Sequence, residues 1–439
     1  MASERNKTMF EQFELEGIWS STKDSDINKW DHGVLHYSPT GIELDIVGSL
    51  NKQEDDPFHL LEGGDYDLVY GYSVSGDYVM LSNVLAFGGR MNFPGMSTEK
   101  YSVSNALIYR NEIKSSSLPI VIKAAQFSFT NLNTWLPNRM LEIQIRKDNT
   151  RVYVENPPRQ FAICHFSKFG KTISLSINER GTTRPLSGGI SGVRIENESR
   201  FSLNAEDQPL LISEVKEIVN DFGRLFSVLF GKSVSVKYVR ANTAEEAGMN
   251  LLFSQNYKVN TDETTNKNRL VPSYDIVKNF LPTFISNWFA MSEEMRLLVD
   301  DYLLTITQRG VIENSLINLM QGVESYYRNE ELSLVKKIAK ITKSVPISIL
   351  DRKQMESRLG NEQDYTRKLK NTRVFLTHGN KRDDLYTGKE MISATVVFQL
   401  IVQCFVLLQL GMDTNSLSYM KSVFAERFNT KYFNNDVHF

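Results

Sequence analysis

Two hydrophobic periodicities divide the chain. Over residues 1–265 apolar and polar positions alternate in short runs: GVLHYS (33–38), GIELDIVGSL (41–50), YDLVYGYSVSGDYVMLSNVLAF (66–87), RVYVEN (151–156) and KTISLSINE (171–179). A period of two suits strands with one buried face. Ser75-Gly76-Asp77, Gly63-Gly64 and Gly188-Gly189 separate the runs as turns. One helical pattern interrupts them at 212–231, closed by Gly231 and followed by the strand-like SVSVKYVRA (233–241). Residues 258–270, KVNTDETTNKNRL, lack large apolar runs and read as a linker or surface loop.

Beyond that point the period changes to that of helices. Helical patterns cover 274–291, 292–307 (opened by Ser292, Glu293 and Glu294), 311–331, 331–344, 364–378, the uncharged run from 391, and a short segment near 416–426. The expectation is an α+β protein: a β-rich domain at 1–265, then an all-α bundle at 271–439. No internal repeat or low-complexity tract is present.

Composition narrows the classes. A length of 439 residues exceeds one ordinary domain, and 41% hydrophobic residues suffice for sizeable cores. Net charge is −2, so no global field recruits nucleic acid or anionic membrane. Cys164 and Cys404 sit in apolar runs and read as buried thiols. Six histidines without paired Cys/His spacing predict no zinc site, and no cofactor is expected. The polar start MASERNKTMFEQ lacks a signal-peptide apolar stretch, so a cytoplasmic location is expected. Residues 391–412 carry no charge and could span a bilayer. Gln399, Gln403 and Gln409, with flanks lacking positive asymmetry, favour a buried helix or a dimer seam over membrane contact.

Most local motifs have bland readings. FGKS at 230–233 lacks the first glycine of a phosphate loop and runs helix-then-strand, the reverse order. SGGISG at 187–192 reads as a hairpin turn, and His32 and His36 as strand residues. Lys336, Lys337, Lys340 and Lys343 recur at helical spacing as one basic stripe, for which a solvated face is the simplest account. Residues 328–390 nevertheless hold 15 Lys/Arg against 9 Asp/Glu, a local excess suited to a polyanion.

That basic region contains NTRVFLTHGN (371–380). Residues five apart on a helix diverge by about 140° in azimuth, so Arg373 and His378 cannot converge from one regular helix. Either the helix ends at Gly379-Asn380, or the motif acts across a two-fold axis. A histidine in a last helical turn meets the carbonyl end of the dipole, which favours the imidazolium. Histidine can shuttle protons and arginine can grip phosphate bidentately. A capping histidine beside a surface arginine satisfies the same spacing.

RVFLTH resembles the Arg-x4–6-His signature of HEPN domains, helical bundles of many prokaryotic toxin and defence ribonucleases. INLMQGVESYYR (317–328) is similar to the HEPN helix that supplies an acidic residue, here Glu324. EGIWSSTKDSDINKWDHGVLHYSPTGIELDIVGSL (16–50), VYGYSVSGDYVMLSNV (69–84) and FTNLNTWL (129–136) resemble the ApeA N-terminal domain. The resemblance implies an anti-phage, abortive-infection endoribonuclease that cleaves RNA, with tRNA a candidate class, by metal-independent transesterification. Arg373, His378 and Glu324 would be catalytic. Glu324 would orient Arg373 or His378, or instead pair with Arg328. Lys336, Lys340 and Arg328 would contact RNA. A homodimer or higher homo-oligomer follows, with a phage-derived trigger the sequence does not identify. The alternative is a non-catalytic HEPN module binding RNA or protein. Val374 departs from the polar residue many HEPN nucleases carry after the arginine, leaving Asn371 or Asn380 to supply such a group.

Overall fold

The computed structural model describes all residues except 1–6, 24–25, 51–63, 91–94, 112–119, 138–141, 146–151, 156–158, 186–192, 256–271, 308–310, 347, 351–354, 357–358, 380–382 and 430–439. The 187–192 turn, the 258–270 linker, Gly63, Gly188-Gly189 and Asn380 lie outside the described residues. The chain divides into two compact units. One comprises Met1–Asn133, Asn138–Gly223 and Val234–Glu263; the other comprises Thr134–Pro137, Arg224–Ser233 and Thr264–Phe439.

The first unit is built on β1 (Phe13–Ser20), β2 (Asp31–Ser38), β3 (Gly41–Val47), β4 (Tyr66–Ser73), β5 (Tyr78–Arg90) and β6 (Thr98–Tyr109). Their antiparallel pairing runs β6-β3-β2-β1-β4-β5 and returns to β6, so these strands close a ring. Closure removes free edges. Trp19 on β1 is fully buried against Gly71 of β4, where any Cβ would collide with the indole, and beside Gly33 of β2, where a Cβ would collide with the Asp45 carbonyl and Ile46. The tight turn after β4 is served by Gly76 at φ 84°.

Next come β7 (Val121–Ile122), β8 (Ala124–Phe129), the four-residue α1 (Leu132–Trp135), and the hairpin of β9 (Glu142–Ile145) with β10 (Val152–Glu155). β11 (Arg159–Lys168), β12 (Lys171–Pro185), β13 (Val193–Ala205) and β14 (Leu210–Leu211) lead to α2 (Ile212–Phe230), then β15 (Val236–Asn242) and β16 (Met249–Phe253). The sheet continues from β6 through β16, β15, β8, β13 and β12 to β11. Phe222 of α2 packs on Phe127, Phe166 and Phe201 with ring centroids 5.7–5.9 Å apart. His36 lies across strands between Glu14 (3.2 Å) and Asp45 (3.8 Å), and no metal-ligating cluster occurs among the described residues.

The second unit is helical: α3 (Tyr274–Val277), α4 (Leu281–Phe289), α5 (Glu293–Thr307), α6 (Ile312–Tyr326), α7 (Leu334–Ser344), α8 (Glu362–His378), α9 (Gly388–Gln409) and α10 (Met420–Asn429). The α+β architecture matches the expectation, with one break: Pro282 opens α4 and splits the helix expected at 274–291. Trp135, Phe226, Phe230 and Tyr274 form an aromatic cluster here, and Trp135 Nε1 donates to the Pro272 carbonyl at 2.8 Å.

α9 packs on α5, α6, α7 and α10. Length and composition alone would let it cross a membrane, but its most apolar window is 78% buried inside the protein. Its polar residues are matched: Gln399 donates to Thr305 Oγ1 (2.7 Å) and Gln403 to the Val228 carbonyl (2.8 Å). Of the two readings of 391–412, a buried helix or a dimer seam, the buried helix is the one observed. The FGKS stretch is a helix end, with Gly231 at φ 61° stopping α2 against the Gln403 amide. Both cysteines are buried and unbridged, and burial pushes the Cys164 thiol up to about 11.

Candidate active site

α8 starts at Asn361, whose side chain accepts from the Asp364 N–H at 2.9 Å, with Glu362 and Asp364 in the positive first turn. Tyr365, Thr366, Leu369 and Thr372 face inward. Thr372 Oγ1 accepts from the Tyr386 N–H (2.9 Å), which ties the segment after the helix back onto it. Gly379 closes the helix at φ 67°, its N–H on the Phe375 carbonyl at 2.8 Å. No atom lies within 4 Å of where a Cβ would stand there, so glycine is required by conformation rather than by space. His378 is thus the last helical residue, as the Gly379 ending predicted, and is exposed.

Arg373 sits at the edge of the buried face. Its Nη2 meets Glu324 Oε2 at 2.7 Å, with side-chain exposures of 25% and 36%. Arg373 Nε is buried without a hydrogen-bond partner. Glu324 lies in the last turn of α6, and α6, α7 and α8 pack mutually. The pairing left open by the sequence is therefore decided: Glu324 holds Arg373. Arg328 instead reaches Glu294 (2.9 Å) and Glu293 (3.4 Å) at the start of α5, and those carboxylates raise its pKa.

The four lysines do not form one stripe. Lys336, Lys340 and Lys343 share an exposed face, whereas Lys337 lies a helical step away and is buried beside Ile338 and Ile341. Lys337 Nζ points to the Glu324 carbonyl at 3.5 Å, so a cation missed as a site residue stands behind the Glu324–Arg373 pair. The apolar positions Leu334, Ile338 and Ile341 around it were the available signal. Lys340 is engaged by Glu330 at 2.7 Å and lies 4.9 Å over the Tyr327 ring; Lys343 reaches Glu362 at 3.3 Å. Much of the local positive excess is likewise paired, as with Arg367 on Asp384 and Asp364. Lys336 remains exposed.

Within one chain the motif residues diverge. α8 is continuous through 378, so Arg373 turns towards α6 while His378 and Phe375, about 60° apart in azimuth, share another side. Phe375 is 40% exposed.

No curated protein and no solved structure matches this chain. Family comparison is informative on both halves. Residues 14–288 match the ApeA N-terminal domain 1, and residues 323–416 match the Apea-like HEPN family. The second match begins beside Glu324 and includes Arg373 and His378. The first covers the strand ring, the sheet and α2 and extends through most of α4. With the first match spanning more than half of its length, the chain belongs to the ApeA family of anti-phage HEPN proteins, an ApeA N-terminal domain 1 followed by an Apea-like HEPN domain.

Proposed function

We propose that this protein is a defence endoribonuclease that cleaves RNA, with tRNA as a candidate class, by transesterification without a metal. The observation that carries the reading is the Glu324–Arg373 ion pair at 2.7 Å on the helix that ends in exposed His378. Glu324 fixes the guanidinium in one orientation and leaves the remaining Nη N–H groups for phosphate oxygens. His378 takes the proton from the ribose 2′-hydroxyl, whose oxygen attacks the adjacent phosphorus. The P–O5′ bond breaks, and His378, now protonated, returns the proton to the 5′-oxygen. Arg373 stabilises the charged phosphorane. The products are a 2′,3′-cyclic phosphate and a 5′-hydroxyl.

Because Arg373 and His378 diverge on one helix, the site is composite: α8 of two chains face one cleft about a two-fold axis. Exposed Phe375 beside His378 suits a surface that a second chain or a base covers. Lys336 is the candidate outer RNA contact. Lys340, held by Glu330, and Arg328, held by Glu293 and Glu294, would have to exchange these partners to serve. The N-terminal domain would sense infection and restrain or release the nuclease. In this reading the protein acts in the cytoplasm.

The test is end-group analysis of RNA incubated with purified protein in EDTA. Wild-type protein should leave 2′,3′-cyclic or 3′-phosphate ends, and His378→Ala should leave the RNA intact. Cleavage that requires magnesium, or full activity in His378→Ala, overturns the mechanism. Binding of RNA or protein without turnover would return the chain to the non-catalytic HEPN alternative.

A further inference from the structure

The N-terminal domain carries a cleft of about 690 Å³, within the range of small-molecule sites. Register explains how it is built. Leu68 pairs with Ser82 and Ser82 with Asn105, while Tyr70 pairs with Met80, so residues of β4, β5 and β6 share one face. Tyr66 joins them by the two-residue repeat of β4, and Ile212 and Ser213 at the start of α2 complete the wall.

Two observations point to a ligand. The floor is nearly inaccessible, with Tyr70 at 7%, Met80 at 2% and Asn105 at 4% exposure. Asn105 Nδ2 donates to Ser82 Oγ at 3.1 Å, but its Oδ1 is buried with no hydrogen-bond partner, an unmet acceptor in the floor. Asn83, unpaired between Ser82 and Val84 in the ladder of β5, also lines the cleft and takes the left-handed φ of 50° that asparagine tolerates. Charge then selects the chemistry. Exposed Asp65 and Asp67 line the cleft, and among the described residues that line it there is no Lys, Arg or His. Phosphates and carboxylates are disfavoured; a cation whose N–H groups reach an acceptor and whose stem lies on tyrosine rings is favoured.

We infer that this cleft binds an alkylammonium or alkylguanidinium group, with Asp65 and Asp67 balancing its charge and Asn105 Oδ1 accepting its N–H. The group comes either from a free amine or from a Lys or Arg side chain of a peptide. This site is independent of the nuclease reading and concerns the N-terminal domain alone.

The experiment is calorimetric titration of the full chain with n-butylguanidinium, n-butylammonium and end-blocked Gly-Arg-Gly, with butyrate and inorganic phosphate as controls. Saturable one-to-one binding is expected, with Kd on the order of 0.1–1 mM for a fragment of this size. Binding of the butyl cations identifies a free amine as sufficient; binding of the peptide alone identifies a side chain as the source. Asp65→Asn/Asp67→Asn, both exposed, should weaken binding about tenfold. Asn105→Leu should weaken it similarly, and His378→Ala should leave it unchanged. No saturable binding of any cation, equal binding of butyrate, or an unaltered Kd in the double aspartate variant overturns the inference.

Discussion

At the residue scale the motif was legible through its resemblance to the HEPN signature, but its wiring was not. Arg373 and His378 stand out because RVFLTH resembles the HEPN signature; by spacing alone they fit a capping histidine beside a surface arginine. Whether Glu324 served Arg373 or Arg328 depended on how α6 meets α8 and α5, which helical periodicity does not encode. The same gap hid Lys337: four lysines at three- and four-residue spacing look alike until packing turns one inward. Glu324 acts in this account as a positioning residue. Glu324→Gln keeps the shape and loses the charge. It should lower kcat by about 10–100-fold and move KM less, because the guanidinium loses its fixed orientation. Arg373→Lys should lose about 100-fold or more, since a point charge does not reproduce the planar fork. Single-turnover kinetics on purified RNA, with melting curves on the same samples, check both. Matching losses in melting temperature would reassign Glu324 to fold maintenance.

At the element scale, helix ends and packing densities give sharper expectations. Gly379→Ala meets no steric obstacle and still should cost about 1–2 kcal/mol, because alanine resists the left-handed backbone that stops α8. Denaturant unfolding measures it, and Gly379→Asn should recover much of the loss. Asp301 on α5 gives a pH signature. Burial pushes its carboxyl up to about 6 from 3.8. The folded state therefore holds the extra proton between these values, and this group's contribution to stability declines as pH rises from about 4 to about 6. Asp301→Asn should raise Tm by about 2–4 °C at pH 8 relative to wild type and leave it unchanged at pH 4. Equal effects at both pH values would show that desolvation of the carboxylate is not the cause. α9 illustrates where pattern reading stops. The uncharged run and its glutamines favour a central core helix or a dimer seam over a membrane span without separating the first two, and burial with the hydrogen bonds of Gln399 and Gln403 assigns it to the core.

At the scale of the whole molecule, the switch of period from two to helical spacing marked the two halves. Trp19 and Gly71 show why the N-terminal half could be recognised: the indole occupies space that only a glycine leaves. The unit division was less legible. Residues 224–233 close α2 yet group with the helical unit, because Phe226 and Phe230 belong to the Trp135 cluster. Ring closure through β5 and β6 was also hidden, since strand order is a long-range property that alternation does not report. The central claim, two α8 helices sharing one cleft, concerns this largest scale. It is tested by co-purifying differently tagged Arg373→Ala and His378→Ala chains and assaying the mixed dimer on RNA in EDTA. Each mutant homodimer should be inactive, while the mixed dimer, with one Arg373 and one His378 from opposite chains, should regain cleavage with 2′,3′-cyclic ends. A mixed dimer as inactive as both parents, beside an active wild-type control with the same tags, would contradict the account.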